Sequence, residues 1–301
     1  MNPHFDYTPE VRSALETGQP VVALESTVIS HGLPFPQNLE TALGMESEIR
    51  SAGAIPATIA VLDGRVQIGC SLAQLERLAH EKIEKLSLWN LPALIALGKS
   101  GGTTVATTAH LAHLSGIEVF ATGGIGGVHF DAFDESADLP ALARTPIVVV
   151  CAGAKSILNL HATIERLETL GVPVIGYGTD SLPAFHTPTS PHGIAARLNT
   201  PLEIAKTQRA ARSLELRQAI LVTNPVVDGI PFERVQMWVE AANHEARKAG
   251  ISGKHLTPFL LGQLNTLSGG ESVRVNAALL RGNALLGGSI AVALAQLPRL
   301  L

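Results

Sequence analysis

Nearly continuous apolar runs rich in β-branched residues recur at positions 21–24, 55–61, 117–120, 147–150, 174–177 and 219–223. Runs this short, apolar at almost every position, predict strands covered on both faces. Between several of them lie longer segments, 37–52, 103–114, 157–170 and 201–216, in which apolar residues recur at helical spacing and Gly or Pro marks the turns. Strand and helix in alternation predict a mainly parallel central sheet covered by helices, an α/β protein. Beyond Thr223 the period becomes helical over 232–249, 257–267 and 271–297, so the C-terminal portion is expected to wrap the sheet rather than extend it. No linker, low-complexity stretch or fixed-period repeat divides the chain, and residues 1–301 are read as a single domain.

Composition excludes several classes. With 46% hydrophobic and 16% charged residues, the chain can bury a large core and is not of the disordered kind. A net charge of −4, with no Lys/Arg stripe interleaved with aromatics, argues against polymeric nucleic acid as a partner. The two cysteines, Cys70 and Cys151, have no CxxC spacing and speak against a zinc site or a disulfide framework. Residues 1–19 carry acidic and polar groups where a signal peptide needs a basic start and an apolar run, so a cytoplasmic location is expected. The apolar stretch 276–297 is interrupted by Arg281, Asn283 and the Gly287-Gly288 pair, which makes it a poor membrane span and a better buried helix.

In open α/β sheets ligands sit beyond the carboxyl ends of strands, so the residues after each apolar run carry the candidate chemistry. The first place is Glu25-Ser26-Thr27, followed by Ser30-His31-Gly32. A carboxyl here is either a capping or ion-paired group, or a general acid whose pKa is raised by apolar surroundings. The second is Gly98 to Thr104, a Gly-rich turn opening a helix; its spacing is not that of a Walker motif, and helix capping competes with anion contact. The third, Ala121 to His129, has four glycines in five residues and leads to Asp134, Glu135 and Asp138, hard oxygen ligands suited to Mg²⁺ or Mn²⁺ unless they form a solvated acidic loop. The fourth is Cys151-Ala152-Gly153-Ala154-Lys155-Ser156, a strand running to a lone lysine expected at a helix start. An ammonium at the positive end of a helix is disfavoured, which would favour the nucleophilic amine; a solvated lysine is the alternative. An acid, an amine and a carboxylate metal site past strand ends together suggest chemistry on a phosphorylated sugar.

Longer strings carry a resemblance. Val22-Ala23-Leu24-Glu25-Ser26-Thr27 with Ser30-His31-Gly32 and Pro34-Phe35-Pro36-Gln37-Asn38, Phe120 to His129, Cys151 to Ser156, Gly171-Val172-Pro173-Val174 and Thr257-Pro258-Phe259-Leu260-Leu261 resemble the pseudouridine-5'-phosphate glycosidases, also called the indigoidine synthase A-like family. The resemblance runs from about Val21 to about Leu285. It implies a three-layer α/β/α fold, a homotrimer, a divalent cation, usually Mn²⁺, and a small-molecule substrate, pseudouridine 5'-phosphate, cleaved to uracil and ribose 5-phosphate.

Residue by residue, the resemblance implies that Lys155 is the nucleophile that forms a Schiff-base adduct and Glu25 the proton donor. It makes Asp134 the metal ligand, with Ser136, Ala137, Asp138, Lys85 and Val105 as substrate contacts. Thr104, Thr122, His129 and Asn276 are further substrate-binding candidates by position, and His129 could equally be a buried structural histidine. Lys85 reads as a surface lysine without the resemblance. Two alternatives remain at this level. A Schiff-base aldolase or isomerase acting on another sugar phosphate would use the same lysine and metal. A non-catalytic phosphosugar sensor would not need to keep both Glu25 and Lys155.

Overall fold

The computed structural model describes residues 2–130, 134–251 and 256–298, so Asp131, Ala132 and Phe133 of the expected metal loop lie outside the described residues. The strands are β1 (Phe5–Tyr7), β2 (Val21–Leu24), β3 (Ile55–Leu62), β4 (Arg65–Ile68), β5 (Glu84–Leu86), β6 (Gly101–Thr103), β7 (Val119–Ala121), β8 (Val148–Cys151), β9 (Val174–Tyr177), β10 (Ala196–Leu198) and β11 (Ile220–Thr223). The helices are α1 (Pro9–Thr17), α2 (Gln37–Ser51), α3 (Leu72–His80), α4 (Leu91–Ala96), α5 (Val105–Leu114) and α6 (Asp138–Leu142). They continue with α7 (Leu160–Thr169), α8 (Pro201–Ser213), α9 (Phe232–Lys248), α10 (Leu256–Leu267) and α11 (Glu271–Ala295). A single π turn, Val28–Gly32, follows β2.

The strands join in the order β1-β4-β3-β2-β7-β8-β11-β9-β10, with β5 reaching the sheet through β6 and β6 through β3. Every pairing is parallel except β3 with β4 and β3 with β6. The central strands β2, β7, β8 and β11 are buried at every residue, as continuous apolarity requires. All six expected strands are present, shifted by a residue or two at their ends.

Five strands escape the apolar criterion for physical reasons. β1, β4 and β10 lie toward the sheet's edges and carry polar residues, while β5, Glu-Lys-Leu, buries only Leu86. β6 reads as a Gly-rich turn but is a strand, because only glycine fits there. A Cβ on Gly101 would stand 2.8 Å from the Leu86 side chain, and one on Gly102 would stand 2.3 Å from Ser30 Oγ. The expected helix over 103–114 therefore begins two residues later, at Val105.

The C-terminal portion is helical, as expected. α11 packs on α2 and α8 and across β2, β7 and β8. It is long and apolar enough to cross a membrane by composition, yet it lies inside the fold. Its Gly287-Gly288 pair is a close-packing device. Gly287 faces Ala121, Val22 and Val119, and a Cβ on Gly288 would stand 2.6 Å from the Ala52 Cβ. α5 packs along β2, β3, β6 and β7, which together with α11 gives the layered architecture of a sheet flanked by helices.

Candidate active site

The parallel register fixes which groups meet. Leu24 of β2 is aligned with Ala121 of β7, so the next residues, Glu25 and Thr122, leave the sheet side by side. Thr122 Oγ1 and Thr27 Oγ1 both donate to the Glu25 carboxyl, one to each oxygen. Glu25 is only 8% exposed. Burial drives its pKa above the ordinary carboxyl value; Lys155 and the two threonine hydrogen bonds oppose the shift, and Asp138 adds to it. A carboxyl in this position holds its proton further toward neutral pH than a solvated one, which suits a general acid.

Beyond β8 the chain is held by hydrogen bonds to neighbouring loops rather than by a helix. Ala152 N–H donates to Gly123 C=O (2.8 Å), Ile125 N–H to Gly153 C=O (3.1 Å) and Lys155 N–H to Ile125 C=O (3.1 Å). The Gly-rich loop after β7 and the lysine segment thus zip together past the sheet edge. Two glycines permit the approach. At Gly153, φ is +87° and a Cβ would meet the Pro183 C=O at 2.0 Å, while at Gly124 it would meet the Phe185 ring at 2.5 Å. The expected helix start at Lys155 is not found: α7 begins at Leu160, capped by Asn159, whose side chain accepts from Ala162 N–H (3.0 Å). Lys155 therefore does not stand at a helix N-terminus and is placed by the loop instead.

Asp138 ties the site together. Its Oδ1 accepts from Ala106 N–H at the start of α5 (2.9 Å) and its Oδ2 from Gly126 N–H in the Gly-rich loop (2.8 Å), with only 7% of the residue exposed. Ser136 Oγ accepts from Asp138 N–H (3.2 Å), and Ser136 N–H donates to Gly127 C=O (3.0 Å). A Cβ on Gly126 would collide with Ser136, so this glycine is also a packing requirement. Ala137, between them, is exposed. Asp138→Ala strands two buried N–H groups and should lower unfolding free energy by about 2–4 kcal/mol, read from the denaturant midpoint; an unchanged midpoint would show that water replaces the carboxylate.

Lys85 on β5 belongs to the same site. Although much of the residue is exposed, displacement of water by the surrounding protein holds its pKa below the ordinary lysine value. Lys155 pushes the same way, and Asp138 and Glu25 oppose. Glu25, Asp138, Lys85 and Lys155 are therefore within electrostatic reach of one another. Thr104 caps α5 in an extended conformation, buried beside Thr107 (hydroxyls 3.4 Å apart), and Val105 is the first residue of the helix. With Ala106 N–H committed to Asp138, the Val105 N–H is one of the donors left at the positive end of α5.

Three further candidates are placed differently. Asp134 follows the undescribed loop residues, and its C=O accepts from His129 N–H (2.9 Å), beside the antiparallel bridge of Val128 with Glu135. Its neighbour Glu135 is paired with Arg166 (3.1 Å) and is not available as a second metal ligand without breaking that pair. Asn276 lies on α11, and its Oδ1 is buried with no hydrogen-bond partner among the described residues; an N–H or O–H of a ligand would satisfy it.

Sequence reasoning missed Asn283, read only as a break in an apolar stretch. Its Nδ2 donates to Thr122 C=O (2.8 Å) and its Oδ1 accepts from Asn224 Nδ2 (3.1 Å), which fixes the strand end carrying Thr122. A lone Asn in an otherwise apolar buried helix is the signal that marks such a group. A cavity of about 510 Å³ at the other end of the strands holds none of the candidates. Its arginines serve structure: Arg209 pairs with Glu118, and Arg212 donates to the C=O groups of Leu216 and Gln218.

The sequence profile of the indigoidine synthase A-like proteins matches residues 10–293. The chain is 57% identical to a pseudouridine-5'-phosphate glycosidase of Thermus thermophilus, over 93% of this chain and 99% of that protein. It is 51% identical to another of that name from Methylobacterium nodulans, over 97% and 89%. Among solved structures it is similar to the prealnumycin C-glycosynthase AlnA in complex with ribulose 5-phosphate, with a TM-score of 0.91 and 34% identity over 98% of both chains. An indigoidine synthase A-like protein of Thermotoga maritima superposes with a TM-score of 0.90 at 35% identity, over 97% of both chains.

Proposed function

This chain belongs to the indigoidine synthase A-like family, and from that premise we propose that it is a glycosidase that reversibly cleaves the C–C glycosidic bond of pseudouridine 5'-phosphate, giving uracil and ribose 5-phosphate. The observation that carries the reading is the pairing, on the two sides of β7, of a buried carboxyl with a raised pKa and a lysine within its electrostatic reach. The ribulose 5-phosphate bound by the similar C-glycosynthase supports a pentose phosphate as the sugar half.

A C-glycoside has no electronegative leaving atom, so hydrolysis by two carboxylates through an oxocarbenium ion is poorly driven. Covalent amine catalysis divides the difficulty. Lys155 Nζ, as the free amine, attacks the anomeric C1', the C1'–O4' bond breaks, and O4' takes the proton that the attacking nitrogen loses as the ring opens. Glu25 delivers its proton to C5 of the pyrimidine. The nitrogen lone pair then forms the C1'=N bond as the C1'–C5 bond breaks, the electron pair of that bond returns to the ring, and uracil leaves neutral. Water adds across the imine and restores the free amine and ribose 5-phosphate. Throughout, Lys85 and the Val105 N–H at the start of α5 bind the phosphate, and Asn276 Oδ1 accepts from the substrate.

Asp134 is the residue that would hold Mn²⁺. Its carboxylate is a hard oxygen donor of the kind that would hold such an ion if water or phosphate oxygens completed the shell, and no group of three His, Cys, Asp or Glu side chains converges among the described residues. When bound, the ion supplies positive charge to the phosphate end of the substrate. Asp134→Ala should raise the Mn²⁺ concentration for half-maximal activity by about tenfold or more; a superimposable titration would exclude Asp134 as the ligand.

The experiment for the whole reading is uracil release from pseudouridine 5'-phosphate by the purified chain, with Mn²⁺ and then with chelator. Metal-dependent release is expected. No release from folded protein with Mn²⁺ present would transfer the site to a different sugar phosphate. A homotrimer is part of the same reading and is measured by light scattering.

A further inference from the structure

The π turn that follows Glu25 has no part in the reaction as described, although it begins three residues from the proton donor. π-helical turns cost hydrogen-bond geometry and concentrate at functional sites. Its two polar members, Ser30 and His31, are bonded to each other, Ser30 Oγ to His31 Nδ1 at 2.7 Å, and Ser30 Oγ also donates to Ser26 C=O (3.1 Å). Ser30 is seated directly on Gly102, where a Cβ would stand 2.3 Å from its hydroxyl. Gly102 is the residue aligned with Lys85 in the β5–β6 ladder. The missing side chain on β6 thus lets the π turn close down on the strand pair, and it brings the His31 ring to the Ile83-Glu84-Lys85 segment, where it hydrogen-bonds the Ile83 backbone and senses the charges of Lys85 and Glu84. Two residues past Gly102 is Thr104, the cap of α5. His31, Lys85 and the start of α5 therefore converge on one place, and His31 is exposed there rather than packed away.

We propose that His31 is a further substrate-binding residue, a second side-chain donor to the substrate phosphate held by Lys85 and the start of α5. The inference rests on the phosphate placement given above. With Nδ1 engaged by Ser30, Nε2 is the ring nitrogen assigned to a phosphate oxygen, in exchange for the ring's hydrogen bond to the Ile83 backbone, and a dianion arriving between His31 and Lys85 favours the protonated ring. Partial displacement of water by the surrounding protein and the Lys85 charge lower the ring's pKa, with Glu84 and a hydrogen bond to the Ile83 backbone opposing, so the ligand-free site disfavours two like charges side by side.

Inorganic phosphate is the probe, because it carries neither sugar nor base. In wild type it should inhibit competitively against pseudouridine 5'-phosphate. His31→Ala should raise both the KM for that substrate and the inhibition constant for phosphate by about tenfold, the scale of one charge-assisted hydrogen bond. Ser30→Ala, which frees the ring without removing it, should give a smaller rise in both. Unchanged values in His31→Ala would overturn the inference, and so would a raised KM with an unmoved phosphate constant, since His31 would then act on another part of the substrate. If wild type releases no uracil, the proposed reaction fails on its own. Calorimetric titration of wild type and His31→Ala with phosphate then decides the inference by the same tenfold criterion.

Discussion

Lys155→Ala is expected to lower uracil release by a factor on the order of 10⁴–10⁶, the scale on which covalent catalysis fails when its nucleophile is deleted. The fold should survive, because the structure places this residue through its backbone. Its N–H is held by Ile125 C=O, and the segment before it is pinned by Gly123 C=O and by Phe185 N–H, which donates to Ala152 C=O. Binding should survive as well, since the phosphate is assigned to Lys85 and the start of α5. Removal of the Lys155 charge relieves a repulsion that lowers the Lys85 pKa, so ribose 5-phosphate should bind the variant no more weakly than wild type by more than a few-fold. Two measurements check this. Borohydride in the presence of ribose 5-phosphate should attach the sugar to wild type and not to Lys155→Ala, as read by intact mass. Calorimetry should return similar affinities. A variant that still becomes covalently labelled, or still turns over, would place the nucleophile elsewhere, and Lys85 would be the next lysine to test.

The parts of this site legible in the sequence are those whose placement follows from burial. Continuous apolar strands announce 21–24 and 147–150, and a parallel sheet puts the chemistry just after them, so Glu25 and Lys155 stand out without any structural information. Lys85 does not, because β5 has one buried residue and its environment comes from β6, a Gly-Gly-Thr strand that reads as a turn until Leu86 and Ser30 are seen to pack on it. The local rule that glycines end structure is overridden there by the close approach they permit. Asp138 reads as one of several acids, and only the tertiary contacts with Ala106 and Gly126 show that both of its oxygens are committed to backbone. The misplaced start of α7 has a similar origin: residues 152–155 pair with the Gly-rich loop and with the segment around Ala184, and this pairing keeps the chain out of a helix where helical periodicity alone would begin one.

Glu25→Gln separates the two halves of the proposed chemistry. The carboxamide is nearly isosteric and can still bond Thr122 and Thr27, one hydroxyl donating to the amide oxygen and the other rotating to accept from the amide nitrogen. It cannot deliver a proton, so uracil release should fall by about 10²–10⁴, the usual contribution of a positioned acid. Borohydride trapping of ribose 5-phosphate should persist, because that adduct needs Lys155 and no proton on the pyrimidine carbon. The pH profile carries the sign of the argument. Wild-type Glu25 is active only while protonated, so turnover should decline as pH rises through its raised pKa, and that limb should vanish in the variant. Stability follows activity in its pH dependence. The folded chain binds the Glu25 proton more tightly than the unfolded chain, whose ordinary value is 4.5, so this group weakens the fold as pH climbs from 4.5 through the folded value. Glu25→Gln has no charge to bury and should melt above wild type at pH 7, with the difference vanishing at pH 4. A variant that melts lower at pH 7, with its alkaline limb intact, would mean that Glu25 is ionised in the folded enzyme and that another group donates the proton.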